Sequence, residues 1–485
     1  MTNNYHPNLE DMNGLKDQGN LVPVFREIDA GDDTPVSAYL KVTKGPYSFL
    51  LESVEGTDQA ARFSLIGTEP EEIFITGPAH KDGLVDPLIN IEKYMDQFKI
   101  IPFSDGQRFN GGAVGYISYD AAGYFEKLPS NNTDPLALPE SIFMMTFTFL
   151  IFDHVRKKIR VVSHARLDRN IEYEYAEATD RIDQIIERLQ SNDFRENRIN
   201  KPLSIGRQIT ANMTKDQFEK IVNETKKYIQ SGDIIQAVIS RRLARQTSAD
   251  PFDIYTALRA INPSPYMYYL DLNGFQIVGA SPELLVQVDN GMISTHPIAG
   301  TLPRGETPEE DILQEEKLLN DQKERAEHVM LLDLGRNDIG RVSKPGTVSV
   351  TQMMDIEKYS HVMHIVSHVT GKLDEPYNSF DALRACFPAG TLSGAPKIRA
   401  MEIISDLEPH KRGPYGGAVG YFDLSGNMDT AITIRTMIMK DGVAYTQSGG
   451  GIVFDSKPEN EYQETLHKSS AILRAIDMAE KMQGG

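Results

Sequence analysis

The sequence predicts an α+β fold: mostly antiparallel β-sheets with helices packed on them. Two observations carry this. Short β-type runs at 47–52, 62–66, 142–152 and 158–163, broken by Gly, Pro and Asp, fill the N-terminal part. The later part mixes such runs with helical periodicities, without the regular strand–helix alternation of a doubly wound sheet. At 485 residues the chain exceeds one ordinary core. We expect an N-terminal region, 1–200, and a second region, 201–485, divided in the polar stretch 189–202.

Along the chain, 142–152 is the longest apolar run; it ends at Asp153 and reads as one buried strand. The hexapeptide Gly-Gly-Ala-Val-Gly-Tyr occurs at 111–116 and again at 416–421, each copy followed by an acidic residue, Asp120 or Asp423. Two similarly built strands, one in each region, are expected, with the glycines permitting close approach or a bulge. Thr214 with Gln217 forms a capping box, Phe218, Ile221, Val222, Thr225, Tyr228 and Ile229 follow the helical period, and Gly232 stops the helix. A strand over 234–243 and a helix over 309–334 follow.

Composition excludes several classes. The net charge is -19, from 50 basic and 69 acidic residues, which disfavours nucleic acid and anionic membranes as partners. The polar N-terminus carries no apolar signal core and no run is long enough to span a bilayer, so a cytoplasmic location is expected. Cys386, the one cysteine, sits among apolar residues and reads as a buried structural thiol.

Several residues are able to do chemistry. Glu324 with Glu327, and Glu461 with Glu464, are spaced to put both carboxylates on one helix face. Most such pairs are solvated surface, but two such faces opposed would supply the all-oxygen environment Mg²⁺ prefers. The triplet Gly449-Gly450-Gly451 after a β-type run offers backbone N–H groups to an anion, or is a flexible turn. Neither it nor 390–397 has phosphate-loop spacing, so ATP and dinucleotides are not expected. Around His361, His364 and His368 the pattern is strand-like, which puts only His364 and His368 on one face and argues against a three-histidine metal site. Arg435, in the apolar run 431–436, reads as a strand residue in need of an anionic partner. Asp333 and Arg336 read as a structural ion pair.

Taken together, the motifs at 297–301, 327–338, 390–397, 415–421 and 448–453 resemble the large, chorismate-binding subunits of the anthranilate synthase component I family. The resemblance implies a sandwich of antiparallel sheets flanked by helices, with the active site in a cleft. It implies Mg²⁺ as cofactor, held by Glu327 and Glu464 with Glu324 and Glu461 in support. Tyr415, Arg435, Gly449, Gly450, Gly451 and Lys468 would grip substrate, Gly300 and Thr301 would line the ring pocket, Glu283 would be the general acid, and His364 would serve the elimination. Ala299 stands where the aminodeoxychorismate branch carries lysine, and Gln236 where isochorismate synthases carry a water-activating lysine; both favour amination of chorismate by ammonia to give anthranilate and pyruvate. Leu51, Glu52 and Ser53 with Pro265, Tyr266 and Met267 resemble a tryptophan feedback site, in which Glu52 would take the ammonium. The sequence holds no glutaminase signature, so a separate glutamine amidotransferase subunit, and hence a hetero-oligomer, is implied.

Overall fold

The computed structural model describes residues 5–54, 62–103, 107–129, 133–191, 208–359 and 362–483. The boundary expected at 189–202 therefore lies outside the described residues from 192 onward, as does His361.

Two large sheets form the frame, one of 12 and one of 10 strands among the described residues, and the paired strands run antiparallel. Strands from both regions interleave. Ser48–Glu52 pairs with Tyr266–Asp271 in the first sheet. The two copies of the repeated hexapeptide form strands Gly112–Ile117 and Ala418–Asp423, which pair directly, Gly115 opposite Gly420. A Cβ at Gly420 would lie 2.0 Å from the Asp429 carbonyl oxygen, so glycine is what lets the neighbouring strand approach. Buried aromatic and aliphatic side chains fill the space between the sheets, among them Phe49, Phe109, Tyr116, Phe149 and Tyr268.

Two expectations are corrected. The run 142–152 is two strands, Ser141–Thr146 in the smaller sheet and Thr148–Asp153 in the larger, because the chain crosses between sheets at Phe147. The helix expected over 309–334 is two helices, Pro308–Asn320 and Gln322–Gly340. Asp321 divides them by turning its carboxylate onto the N–H groups of Lys323 and Glu324, 2.9 and 3.1 Å away, as the N-cap of the second. The 215–230 helix carries the expected capping box of Thr214 and Gln217, and Gly232 beyond its end has φ of 82°. No helix among the described residues is long and apolar enough to cross a membrane.

Candidate active site

A cleft of about 990 Å³, counted to its open mouth, takes its walls from both sheets and from helices 322–340 and Pro458–Gln483. Gln236, Glu283, Thr301, Glu327, His364, Tyr415, Arg435, Gly449, Gly451, Glu464 and Lys468, scattered over nearly half the sequence, all line it.

Strand Ile298–Pro303 brings in Ala299, Gly300 and Thr301. Its register against Val362–Lys372 jumps between Ala299 and Thr301, leaving Gly300 as the extra residue of a bulge with φ of 67°. Glycine takes this left-handed conformation without steric cost, and a Cβ there would press on Leu318 and Glu324. The bulge turns Thr301 toward His364, whose Nδ1 lies 3.0 Å from both the Thr301 hydroxyl and the Gly300 carbonyl oxygen. A carbonyl only accepts, so Nδ1 carries the proton and Nε2 keeps its lone pair for a base's work. Burial, with the charge of Arg435, lowers the His364 pKa and keeps the ring neutral. His364 and His368 share a face of this strand, as expected.

Glu283 lies at the inner wall. Burial raises its carboxyl pKa to about 8, against the opposing pull of the Thr391 hydroxyl and the Lys468 charge. It is thus protonated at neutral pH, the state an acid catalyst needs.

Arg435 is not a strand residue, contrary to the sequence expectation. It lies in the connection between Met428–Ile432 of the smaller sheet and Thr436–Lys440 of the larger, with φ of 51°. This crossover aims its guanidinium into the cleft. No ion pair to it forms among the described residues, and burial lowers its pKa, so a buried cation stands open to an anionic ligand. Tyr415 is beside it, its phenol kept neutral by burial and available as a donor.

The glycine triplet is no turn. It continues strand Val443–Ile452, with Gly449, Gly450 and Gly451 opposite Ser240, Ile239 and Val238. Strand 436–440 pairs with its other edge only as far as Thr446, so beyond that point the outward amides have no strand partner. Side chains are excluded by close approach: a Cβ at Gly450 would lie 2.9 Å from Glu461 Oε2, and one at Gly451 would strike the Gln236 amide.

One glutamate of each pair, Glu327 and Glu464, lines the cleft, and the pairs are near enough for the charge of Glu464 to act on Glu324. Burial and then the charge of Glu327 raise the Glu324 pKa, with a contribution from Glu464; burial and Glu464 raise that of Glu461. Lys468 Nζ bridges the Glu464 carboxylate at 2.6 Å and the Gly449 carbonyl at 2.8 Å, and the Gln236 amide faces Glu327 at 3.5 Å. No group of three or more His, Cys, Asp or Glu side chains among the described residues is close enough to hold an ion unaided. Like-charged, partly desolvated carboxylates from two helices suit a divalent cation whose shell is completed by water and substrate oxygens.

Thr391, Leu331 and Gln447 also line the cleft, although the sequence assigned them no role. Thr391 stands in the marked motif 390–397, and Leu331 lies one helical turn after Glu327; Gln447 had no sequence signal. Arg412 was missed as well. Fully buried, it donates to Glu408 at 2.7 and 2.9 Å and to the carbonyls of Leu392 and Val238 at 2.7 and 2.6 Å, fixing two cleft-lining segments.

A second cavity, about 1420 Å³, is lined by Leu51, Glu52, Ser53, Pro265, Tyr266 and Met267. Strand pairing brings its two halves together, Glu52 opposite Met267. The Glu52 side chain is 0% exposed, with the carboxylate bound by Arg259 at 3.0 and 3.2 Å and by the Tyr255 hydroxyl. Arg259 thus opposes the charge of this cavity-lining carboxylate.

Residues 47–474 match the family model described as chorismate binding enzyme. The chain is 47% identical over 493 residues to anthranilate synthase component 1 of Acetivibrio thermocellus, covering 98% of this chain and 99% of that protein. It is 43% identical to that of Aquifex aeolicus, covering 99% of each. Anthranilate synthase component I from Streptococcus pneumoniae TIGR4 superposes with a TM-score of 0.75 at 37% identity, over 92% of this chain and 99% of that one. The menaquinone-specific isochorismate synthase MenF from Escherichia coli, at 17% identity and a TM-score of 0.70, shares the fold. This chain belongs to the anthranilate synthase component 1 family of chorismate-binding enzymes.

Proposed function

We propose that the protein is the chorismate-aminating subunit of an anthranilate synthase, converting chorismate and ammonia to anthranilate and pyruvate in the cytoplasm. The observation that carries this is the convergence of an unpaired buried cation, a protonated buried acid and a neutral histidine base on one cleft.

Chorismate is a dianion. Arg435, the Tyr415 hydroxyl and the open amides of the triplet suit its enolpyruvyl carboxylate, and Lys468 adds positive charge. Glu327 and Glu464, supported by Glu324 and Glu461, would hold Mg²⁺, whose charge offsets that of the ring carboxylate. Glu283, protonated at neutral pH, gives its proton to the departing C4 hydroxyl as ammonia adds at C2. His364 Nε2 accepts the C2 proton as pyruvate leaves and the ring becomes aromatic. Ala299 and Gln236 bring no amine to the cleft, which supports free ammonia over a lysine-mediated or hydrating route.

Ammonia would come from a separate glutamine amidotransferase subunit, and tryptophan would occupy the second cavity as feedback inhibitor. Purified chain with chorismate, Mg²⁺ and ammonium should give anthranilate fluorescence that tryptophan suppresses and that chelation abolishes. Absence of anthranilate under these conditions overturns the reading.

A further inference from the structure

Three side chains form a row that starts in the active-site cleft and leads out of it: Thr301, His364 and Glu357. His364, in the middle strand, stands directly opposite Thr301 on one neighbour and Glu357 on the other. Opposed residues of paired strands share a face, with Cβ atoms about 5 Å apart. Glu357 therefore flanks the imidazole on the side away from Thr301. Its carboxylate is held there. Oε2 accepts from the Tyr359 hydroxyl at 3.0 Å, and the Tyr359 ring meets the His364 ring edge to face, with centroids 5.5 Å apart at 67°. Tyr359 is anchored by its backbone: its N–H donates to the Val362 carbonyl at 2.9 Å, and its carbonyl accepts from Arg304 at 2.8 Å.

The charge of Glu357 is committed to no other partner. Among the described residues no lysine or arginine pairs with it, and the adjacent Lys358 turns to Glu315. His296 Nε2 lies 3.5 Å from Oε1 without a hydrogen bond, and burial lowers the His296 pKa. His364 is pulled both ways by its surroundings. Burial and Arg435 lower its pKa, while the Gly300 carbonyl and the charge of Glu357 raise it. When Nε2 takes the C2 proton, the C–H electron pair enters the ring and the ring C–O bond breaks. Pyruvate leaves as its enolate and takes a proton from water. The imidazolium left behind is opposed by Arg435 and favoured by Glu357. We propose that Glu357 is a positioning residue for this elimination: tied to Tyr359, it holds the imidazole toward the cleft and offsets the positive charge His364 gains. The inference rests on the functional reading above, which gives His364 the C2 proton.

The test is mass spectrometry of the products that the full chain makes from chorismate, Mg²⁺ and ammonium over a range of pH. Wild type should release anthranilate. Glu357→Gln should accumulate an aminated product that keeps the enolpyruvyl group, with anthranilate formation slowed about tenfold, a fraction of what the base itself contributes. The acid limb of anthranilate formation should move to lower pH, because the imidazole loses a neighbouring negative charge. Glu357→Asp keeps the charge and should recover most of the rate. A residue with a merely structural role would slow amination and elimination alike and leave the limb in place, and that result overturns the proposal, as does an unchanged product ratio. Should Glu357→Gln fail to fold, Tyr359→Phe decides: accumulation of the same aminated product supports the proposal, and its absence overturns it. Wild type that forms no anthranilate overturns the functional reading and this role with it, whereas active wild type beside an unaffected Glu357→Gln overturns this role alone.

Discussion

Replacing Glu283 with glutamine should stabilise the fold and abolish the chemistry together. Burial raises this carboxyl from 4.5 to about 8. Between those values the native state keeps a proton that the unfolded chain has released. Unfolding free energy then falls as pH rises, by about 1.4 kcal/mol per pH unit from this group alone. At pH 7 the accumulated loss is about 3 kcal/mol, and above pH 8 it levels off near about 5 kcal/mol. Glutamine does not ionise and escapes that loss, so the difference in stability between variant and wild type should widen from pH 5 to pH 8. The same change removes the proton donor for the C4 hydroxyl, worth about 10²–10⁴ in rate. Urea unfolding at several pH values and anthranilate fluorescence read the two effects. Parallel stability–pH profiles for wild type and variant would refute the raised pKa, and near wild-type turnover would remove Glu283 as the acid.

Two further substitutions separate scaffold from site. Arg412→Met removes the buried guanidinium that opposes the charge of Glu408, whose side chain is 4% exposed, and should cost about 3–5 kcal/mol in denaturant unfolding. A loss under about 1 kcal/mol would mean that the Leu392 and Val238 segments do not depend on it. Glu464→Gln alters a carboxylate whose side chain is 46% exposed and which pairs with Lys468, and should change stability by less than about 1 kcal/mol. Turnover at fixed Mg²⁺ should nevertheless drop by about a hundredfold, and an unchanged Mg²⁺ titration would take Glu464 out of the metal site.

Features set by neighbours in the chain were readable from sequence. The 215–230 helix has its capping box at Thr214 and Gln217 because both partners lie within one turn. Each hexapeptide forms a strand whose glycines let neighbouring backbone approach closely; that the two strands pair with each other is tertiary information. The cleft residues were named by motif resemblance, and no periodicity would have gathered positions as far apart as Gln236 and Lys468. What stayed hidden depends on side-chain direction and on chain crossing. Arg435 looks like a strand residue because its neighbours are apolar, yet they are apolar because the chain there threads between two sheets. Glu52 lies at the cavity but points at Arg259, more than two hundred positions away in sequence. The glycine triplet suggests a turn by composition; it is a strand because it pairs with 236–246, and it is glycine because Glu461 and Gln236 occupy the space side chains would fill.

The claim that free ammonia is added directly to chorismate is tested by product analysis with isotope-labelled ammonium. Mass spectrometry of chorismate incubated with the chain, Mg²⁺ and the label should show labelled anthranilate and pyruvate in equal amounts. Accumulation of labelled 4-amino-4-deoxychorismate without pyruvate, or of unlabelled isochorismate, would contradict the roles given to Ala299 and Gln236 and move the chain to another branch of chorismate chemistry.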